Sequence, residues 1–208
     1  MPDTPLILIG AGGHACVVAE AAHLAGWQIA GHVAPQAGGD ALLGEWLGDD
    51  SALGKYLAGG AMCAIGLGFV DAASAQRRAA ILAGLDTDTL ATIIHPDASV
   101  SPNAQLGSGC FIAAQSVIAT GAIIGCGAIV NTGAIVEHHN TIGQNAHIAT
   151  GARLTGNVHV GDNVLVGAAC VVRQGVCIGD GAVVGAGCVV LSDVAPNTVF
   201  IGRRGQAS

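Results

Sequence analysis

Aliphatic residues recur at every sixth position through the second half of the chain. Sixteen successive positions, Val100, Leu106, Ile112 and onward in steps of six to Val190, are all Val, Ile or Leu. The residue two places before each is small or modest in size, from Ala98 and Ala104 through Ala146 to Cys188. Glycine often follows the aliphatic residue directly, as at Gly107, Gly125, Gly143, Gly161, Gly167, Gly179 and Gly185, where its backbone freedom is expected to relieve strain in a turn. A period of six matches neither an amphipathic helix nor an alternating strand, and it marks the hexapeptide repeat of a β-helix. Each hexad predicts one short strand and one turn, with the aliphatic side chain pointing inward. One hexad cannot bury that side chain alone, so the units must stack. A left-handed parallel β-helix is therefore predicted over residues 93–195, with hexads grouped in threes so that residues eighteen apart lie in register.

Before the repeat the pattern changes. Residues 5–9 form an apolar run, Gly10-Ala11-Gly12-Gly13-His14 follows, and residues 15–25 carry Val17, Val18, Ala21 and Leu24 at helical spacing. Residues 27–30 and 62–65 read as strands, 72–85 as a helix bearing Arg77 and Arg78, and 90–94 as a last short strand. This order predicts a Rossmann-like α/β domain over residues 1–92, whose Gly-rich first turn would let a phosphate approach a helix N-terminus. The second strand continues as Gly31-His32-Val33-Ala34 with no acidic residue, so an NAD-type ribose clamp is not expected. After Val190 the next position in step is Pro196, and residues 196–208 are expected to form a cap and tail.

Composition sharpens this picture. Hydrophobic residues make up 51% of the 208, yet aromatic residues only 3%, which suits a core of Val, Ile and Ala layers. Charged residues are 10%, the net charge is −7 and Lys55 is the one lysine, so no nucleic-acid partner is expected. The seven cysteines are odd in number and form no CxxC pair, and Cys110, Cys170 and Cys188 fall on small inward positions. Reduced structural thiols in a cytoplasmic protein are expected. The apolar run at residues 6–9 is too short to cross a membrane, and neither a signal peptide nor membrane attachment is expected.

Because the β-helix core is apolar, chemistry must lie on outward positions. The most polar stretch is Glu137-His138-His139. In the stacked register His138 lies between Thr120 and Gly156, and His139 between Gly121 and Asn157. Small neighbours leave a groove beside His138, and histidine is the side chain best suited to accept a proton near neutral pH. Position alone also fits two solvated turn histidines. His147 and His159 each read equally as a surface side chain, a ligand contact or a metal ligand. A zinc site needs three converging ligands, and no two histidines here have the spacing that would share one, so no metal is expected. Arg153, Arg173, Arg203 and Arg204 are candidates for cofactor phosphates or simply solvated charges.

Taken together, these motifs resemble the hexapeptide-repeat sugar acetyltransferases of the sialic acid O-acetyltransferase and of the bacillosamine- and perosamine-pathway N-acetyltransferase type. The resemblance rests on residues 6–9 with Gly10-Ala11-Gly12-Gly13-His14, Ala64-Ile65-Gly66, the Arg77/Arg78 helix and Ile94-His95-Pro96-Asp97-Ala98-Ser99-Val100. It continues through Val130-Asn131-Thr132, Val136-Glu137-His138-His139 and Ala146-His147-Ile148. It implies acetyl-CoA as donor, a homotrimer, and active sites between subunits. It also implies His138 as catalytic base, Asn131 and His147 lining the acetyl-CoA and active-site cleft, and Gly156, Ala168 and Ala186 along the pantetheine groove. Gly12, Gly13 and His14 would meet the sugar nucleotide.

The chain departs from that family at three places. His139 stands where relatives often carry an acidic residue, which leaves another group, Glu137 or Asn140 to orient His138. Gly31-His32-Val33-Ala34-Pro35 replaces the acidic end of the second strand, and Gly202-Arg203-Arg204-Gly205 replaces a Gly-x-Pro-Ala motif. The expected function is acetyl transfer to the 4-amino group of a nucleotide-linked 4-amino-4,6-dideoxy sugar, GDP-perosamine or a UDP-linked bacillosamine precursor, by direct attack in a ternary complex. A sialic acid-type O-acetyltransferase and a non-catalytic trimeric scaffold are the alternatives. The uninterrupted repeat adds that any cleft must be walled by a second subunit or by the N-terminal domain.

Overall fold

The structure, a computed structural model, describes residues 4–202, so Arg203 and Arg204 lie outside the described residues. The N-terminal part contains β1 (Pro5–Ile9), α1 (Gly13–Leu24), β2 (Gln28–Val33), α2 (Leu53–Ala58), β3 (Met62–Ile65) and α3 (Ala72–Ala83). The strands form a parallel sheet in the order β2-β1-β3. β1 is apolar throughout because both its faces are covered. Leu6 and Leu8 pack with Ala15, Val18 and Ala22 of α1, while Ile7 and Ile9 pack with Leu53 and Leu82 on the other side. β2 extends further than the hydrophobic pattern suggests, because Gly31 and His32 continue its pairing with Ile7 and Leu8. His32 is buried there with both ring nitrogens engaged: Nδ1 lies 3.3 Å from the Leu43 carbonyl, and Nε2 accepts from the Gly38 N–H at 2.9 Å.

From Ile93 the chain winds as a parallel β-helix of two-residue strands on three faces. The first face has seven strands, from Ile93–Ile94 through Phe111–Ile112, Ile129–Val130, His147–Ile148 and Leu165–Val166 to Val199–Phe200. The second has six, including Val117–Ile118, Ile135–Val136, Arg153–Leu154 and Val171–Val172, and the third has five, including Thr141–Ile142 and His159–Val160. Strand neighbours are eighteen residues apart, as Ile129↔His147 and Ile135↔Arg153 show. The second residue of each strand is the repeating aliphatic one. From Ile112 to Val190 these residues are buried in one continuous core with the small residues two places before them.

The ends and the turns differ from the simple repeat. Residues 90–94 do not form one strand: Leu90 bridges to Cys63 in the N-terminal sheet, whereas Ile93–Ile94 pairs with Phe111–Ile112 in the β-helix. Past Val190 the coil continues through a turn two residues shorter, so Val194 bridges Ile178 and Val199–Phe200 pairs with Val183–Val184. The glycine that follows the aliphatic residue is not there for its backbone angle. A Cβ on Gly143 would lie 2.6 Å from the backbone nitrogen of Asp162, so close stacking of successive coils excludes it. The left-handed backbone falls two residues later in each turn, for example at Gly121, Gly133, His139, Asn145 and Asn157.

The N-terminal part docks on the first face of the β-helix. Phe111 and Ile129, outward residues of that face, are buried in one cluster with Leu6, Leu8 and Ala15, and Leu165 packs with Phe69 and Ala75. The outward row of the second face is Ser99, Val117, Ile135, Arg153, Val171 and Val189, with Val189 56% exposed. From Val117 on, that row is apolar apart from Arg153.

Candidate active site

Two clusters of polar side chains stand out, on different sides of the β-helix. The first is the turn between the second and third faces, Glu137, His138 and His139, all exposed. His139 holds φ 57°, a conformation that histidine tolerates better than most side chains. This backbone angle turns its ring toward His138, and the two Nδ1 atoms are 3.1 Å apart. One ring therefore donates to the other. With His138 as donor, its Nε2 keeps a free lone pair. Glu137 does not reach the ring, since its Oε2 accepts from the His138 backbone N–H at 3.3 Å. Asn140 points inward, accepting from the Val158 N–H at 2.6 Å and donating to the Leu154 carbonyl. Of the three groups open to orient His138, His139 is the one in contact.

The predicted neighbours of His138 are present. A Cβ on Gly156 would lie 2.5 Å from His138 Nε2, so the imidazole rests directly on that glycine. Gly121 stands in the same relation to His139, with a Cβ there 2.9 Å from Cδ2. Gly156 is thus required by the histidine itself.

The second cluster lies where α1 and the loop after β3 cover the first face. His147 is buried; its Nδ1 lies 3.0 Å from the Phe69 carbonyl and its Nε2 3.1 Å from Asn131 Nδ2. A carbonyl only accepts, so the proton is on Nδ1 and Asn131 donates to Nε2. Asn131 Oδ1 accepts from the Thr132 N–H at 2.8 Å, which fixes the amide with its second N–H free for a ligand. His14 packs edge-on against Phe111 at 5.4 Å between centroids and stands 6.4 Å from the His147 ring. Burial, helped by neighbouring positive charge, lowers both imidazoles to about 4, so both are neutral at pH 7.

Gly12 and Gly13 open α1. The helix start has no side-chain cap and no acidic residue in its first turn, and a Cβ on either glycine would touch nothing. This leaves bare backbone N–H groups at the positive end of a helix dipole. At the same edge of the sheet, between β1 and β3, a cavity of about 310 Å³ is lined by Gly10, Pro35, Asp50, Gly68, Arg77 and Arg78. This is the crevice at a strand-order reversal where open α/β sheets take ligands.

Asn131 begins the turn between the first and second faces, and Ala168 and Ala186 occupy the same corner two and three coils further on. Ala186 also lines a groove of about 800 Å³ at the end of the coil. His159 and Arg153 are exposed on the other faces, and Arg173 is exposed at the corner that carries His138. Among the described residues no three His, Cys, Asp or Glu side chains come together as a metal site. Three contributors escaped sequence reasoning: the Phe69 carbonyl, Arg78 and Asn145. For Arg78 a signal existed, because it shares the buried stripe of α3 with Ala75 and Leu82.

Comparison with known proteins matches both parts of the fold. Residues 5–70 match the PglD N-terminal domain and residues 157–192 match the bacterial transferase hexapeptide repeat. The chain is similar to the acetyltransferase domain of PglB from Neisseria gonorrhoeae, solved with acetyl coenzyme A, at 32% identity and a TM-score of 0.84, covering 96% of this chain and 97% of that one. It is similar to PerB from Caulobacter crescentus, solved with CoA and GDP-perosamine, at 35% identity and a TM-score of 0.80, covering 94% and 92%. A histidine-to-alanine mutant of GDP-perosamine N-acetyltransferase from Caulobacter crescentus, bound to the same two ligands, matches at 33% identity and a TM-score of 0.83, covering 96% and 94%. No curated protein sequence matches the chain.

Proposed function

The chain belongs to the family of hexapeptide-repeat sugar acetyltransferases, and on that premise we propose that it moves the acetyl group of acetyl-CoA onto the amino group of a nucleotide-linked amino sugar. GDP-perosamine is the first acceptor to test, with UDP-linked 4-amino sugars second. The observation that carries the reading is the exposed His138 imidazole seated on Gly156, in a chain whose relatives were solved with CoA and GDP-perosamine.

In this reading His138 Nε2 takes the proton as the amine nitrogen attacks the thioester carbonyl carbon. The C–S bond then breaks, and the departing CoA sulfur receives that proton from His138. His139 orients the ring, Glu137 braces the turn through the His138 backbone, and the free N–H of Asn131 is a donor for the carbonyl oxygen as it gains charge. Gly12, Gly13 and His14, with the neighbouring crevice, take the nucleotide sugar. A second imidazole stabilises an imidazolium less than a carboxylate does. This favours an amine acceptor over a sugar hydroxyl, which needs stronger activation.

The two polar clusters cannot meet within one copy, because His138 lies at the corner opposite the first face. The apolar second face supplies the remedy. If three copies turn that face toward a common axis, the His138 corner of each abuts the corner of the next that bears Asn131, Ala168 and Ala186. Acetyl-CoA would then lie between copies, and the homotrimer is the active form.

Acetyl transfer from acetyl-CoA to GDP-perosamine, UDP-linked 4-amino sugars and sialic acid, followed by thiol release, tests the activity. His138→Ala is expected to lower kcat by about 10³-fold. Near-native turnover in that variant removes His138 as the base, and transfer to sialic acid alone removes the amino-sugar assignment.

A further inference from the structure

Arg78 is a buried cation without a counter-ion. It lies on α3, is 1% exposed, and makes no ion pair among the described residues. Its fork joins three separate segments. Nε donates to the Leu67 carbonyl at 2.6 Å, in the loop after β3, and Nη1 donates to the Gly127 carbonyl at 2.6 Å and to Asn145 Oδ1, both in turns of the β-helix. Asn145 in turn donates to the Ala75 carbonyl at 3.0 Å and to Asn163 Oδ1 at 2.8 Å. Nη2 has no partner among the described residues, and neither does His14 Nε2.

Such a charge is costly to bury, and an apolar side chain of similar size would serve packing better. What it touches explains its presence. The loop that Arg78 grips through Leu67 carries Gly68, where a Cβ would lie 3.3 Å from the His14 ring, and Phe69, whose carbonyl holds His147. We propose that Arg78 is a positioning residue, which locks this loop to the β-helix and thereby sets the neutral Nδ1–H form of His147 and the direction of the Asn131 amide. Its fixed positive charge disfavours a second one nearby and adds to the lowering of both His14 and His147. Cys110 and Cys126, the other ionisable groups facing it, are thiols; burial pushes both up, so both are neutral at pH 7. The inference rests on the acetyltransferase reading for its kinetic consequence, but not for its structural one.

The test uses the full chain with 15N-labelled histidine, and the variants Arg78→Met and Arg78→Lys. In the native protein His147 should show the Nδ1–H tautomer and stay unprotonated down to about pH 4. Arg78→Met should raise the titration midpoints of His14 and His147 and lower kcat about tenfold or more, with a smaller effect on KM for acetyl-CoA. Arg78→Lys retains the charge but not the fork. It should keep both midpoints low while kcat still falls, and it decides the matter if the Met variant does not fold. Native turnover in Arg78→Lys, or unchanged histidine signals in a folded Arg78→Met, overturns the proposal. So does a rise confined to KM for the nucleotide sugar, which would make Arg78 a wall of the nucleotide cavity. If the native chain transfers no acetyl group, the functional reading fails, while the histidine signals still judge Arg78.

Discussion

The space between His138 and Gly156 has no room for a methyl group. Gly156 has an ordinary backbone angle, so Gly156→Ala should not strain the turn. Its new Cβ would instead displace the imidazole that now lies 2.5 Å from that position. The expected result is a loss of kcat on the order of a hundredfold with little change in Tm, because misplacing a reacting group by an ångström is that expensive in rate. An equal fall in Tm and in the folded fraction would assign Gly156 to the fold alone. The sequence already pointed to this contact, since the eighteen-residue register sets 138 beside 156. It could not reveal that the His139 ring is the group in contact with His138, because that depends on φ 57° at His139 and on Asn140 turning inward.

At the scale of elements, the inward pattern was legible because a hexad has one answer for its aliphatic residue: the axis. The outward residues of the first face were not. Phe111, Ile129, His147 and Leu165 are buried by α1, the residue-69 loop and α3, and nothing in a local repeat announces which face a distant domain will cover. That docking predicts an acid-sensitive fold. His14 and His147 titrate near 6.5 in the unfolded chain but only at about 4 when folded. Between those values the unfolded chain binds more protons, so stability rises with pH. The contribution is complete above about pH 6.5 and is lost as pH falls toward 4, costing on the order of 3 kcal/mol per histidine. Against a total stability of about 5–15 kcal/mol this should appear as a clear drop in Tm or in urea midpoint across that window. A flat profile from pH 7 to 4 would refute the buried neutral pair. Asp49 and Asp71, held below the usual carboxylate range by Ser51 and Ser74, act in the same sense but at lower pH.

For the whole molecule, the question is whether one copy can hold a complete site. The chain order of the faces sets two candidate groups apart: Asn131 lies in the corner between the first and second faces, His138 in the corner between the second and third. Each corner is complete in every copy, but the β-helix core separates them. If the second face points to a threefold axis, each site takes His138 from one copy and Asn131 from the next. Two inactive variants should then rescue each other. Neither His138→Ala nor Asn131→Ala forms a working site alone, whereas in a mixed trimer the intact His138 corner of one can meet the intact Asn131 corner of the other. Random co-assembly by co-expression should return about a quarter of native turnover, since half of the subunits supply each intact corner. Activity that stays at the level of the single variants, in trimers verified as mixed by mass spectrometry, would mean that both corners serve one copy. The row Val117, Ile135, Val171 and Val189 then would need another explanation for staying apolar. Recovery to a quarter would tie that row, the two corners and the groove beside Ala168 and Ala186 to one arrangement.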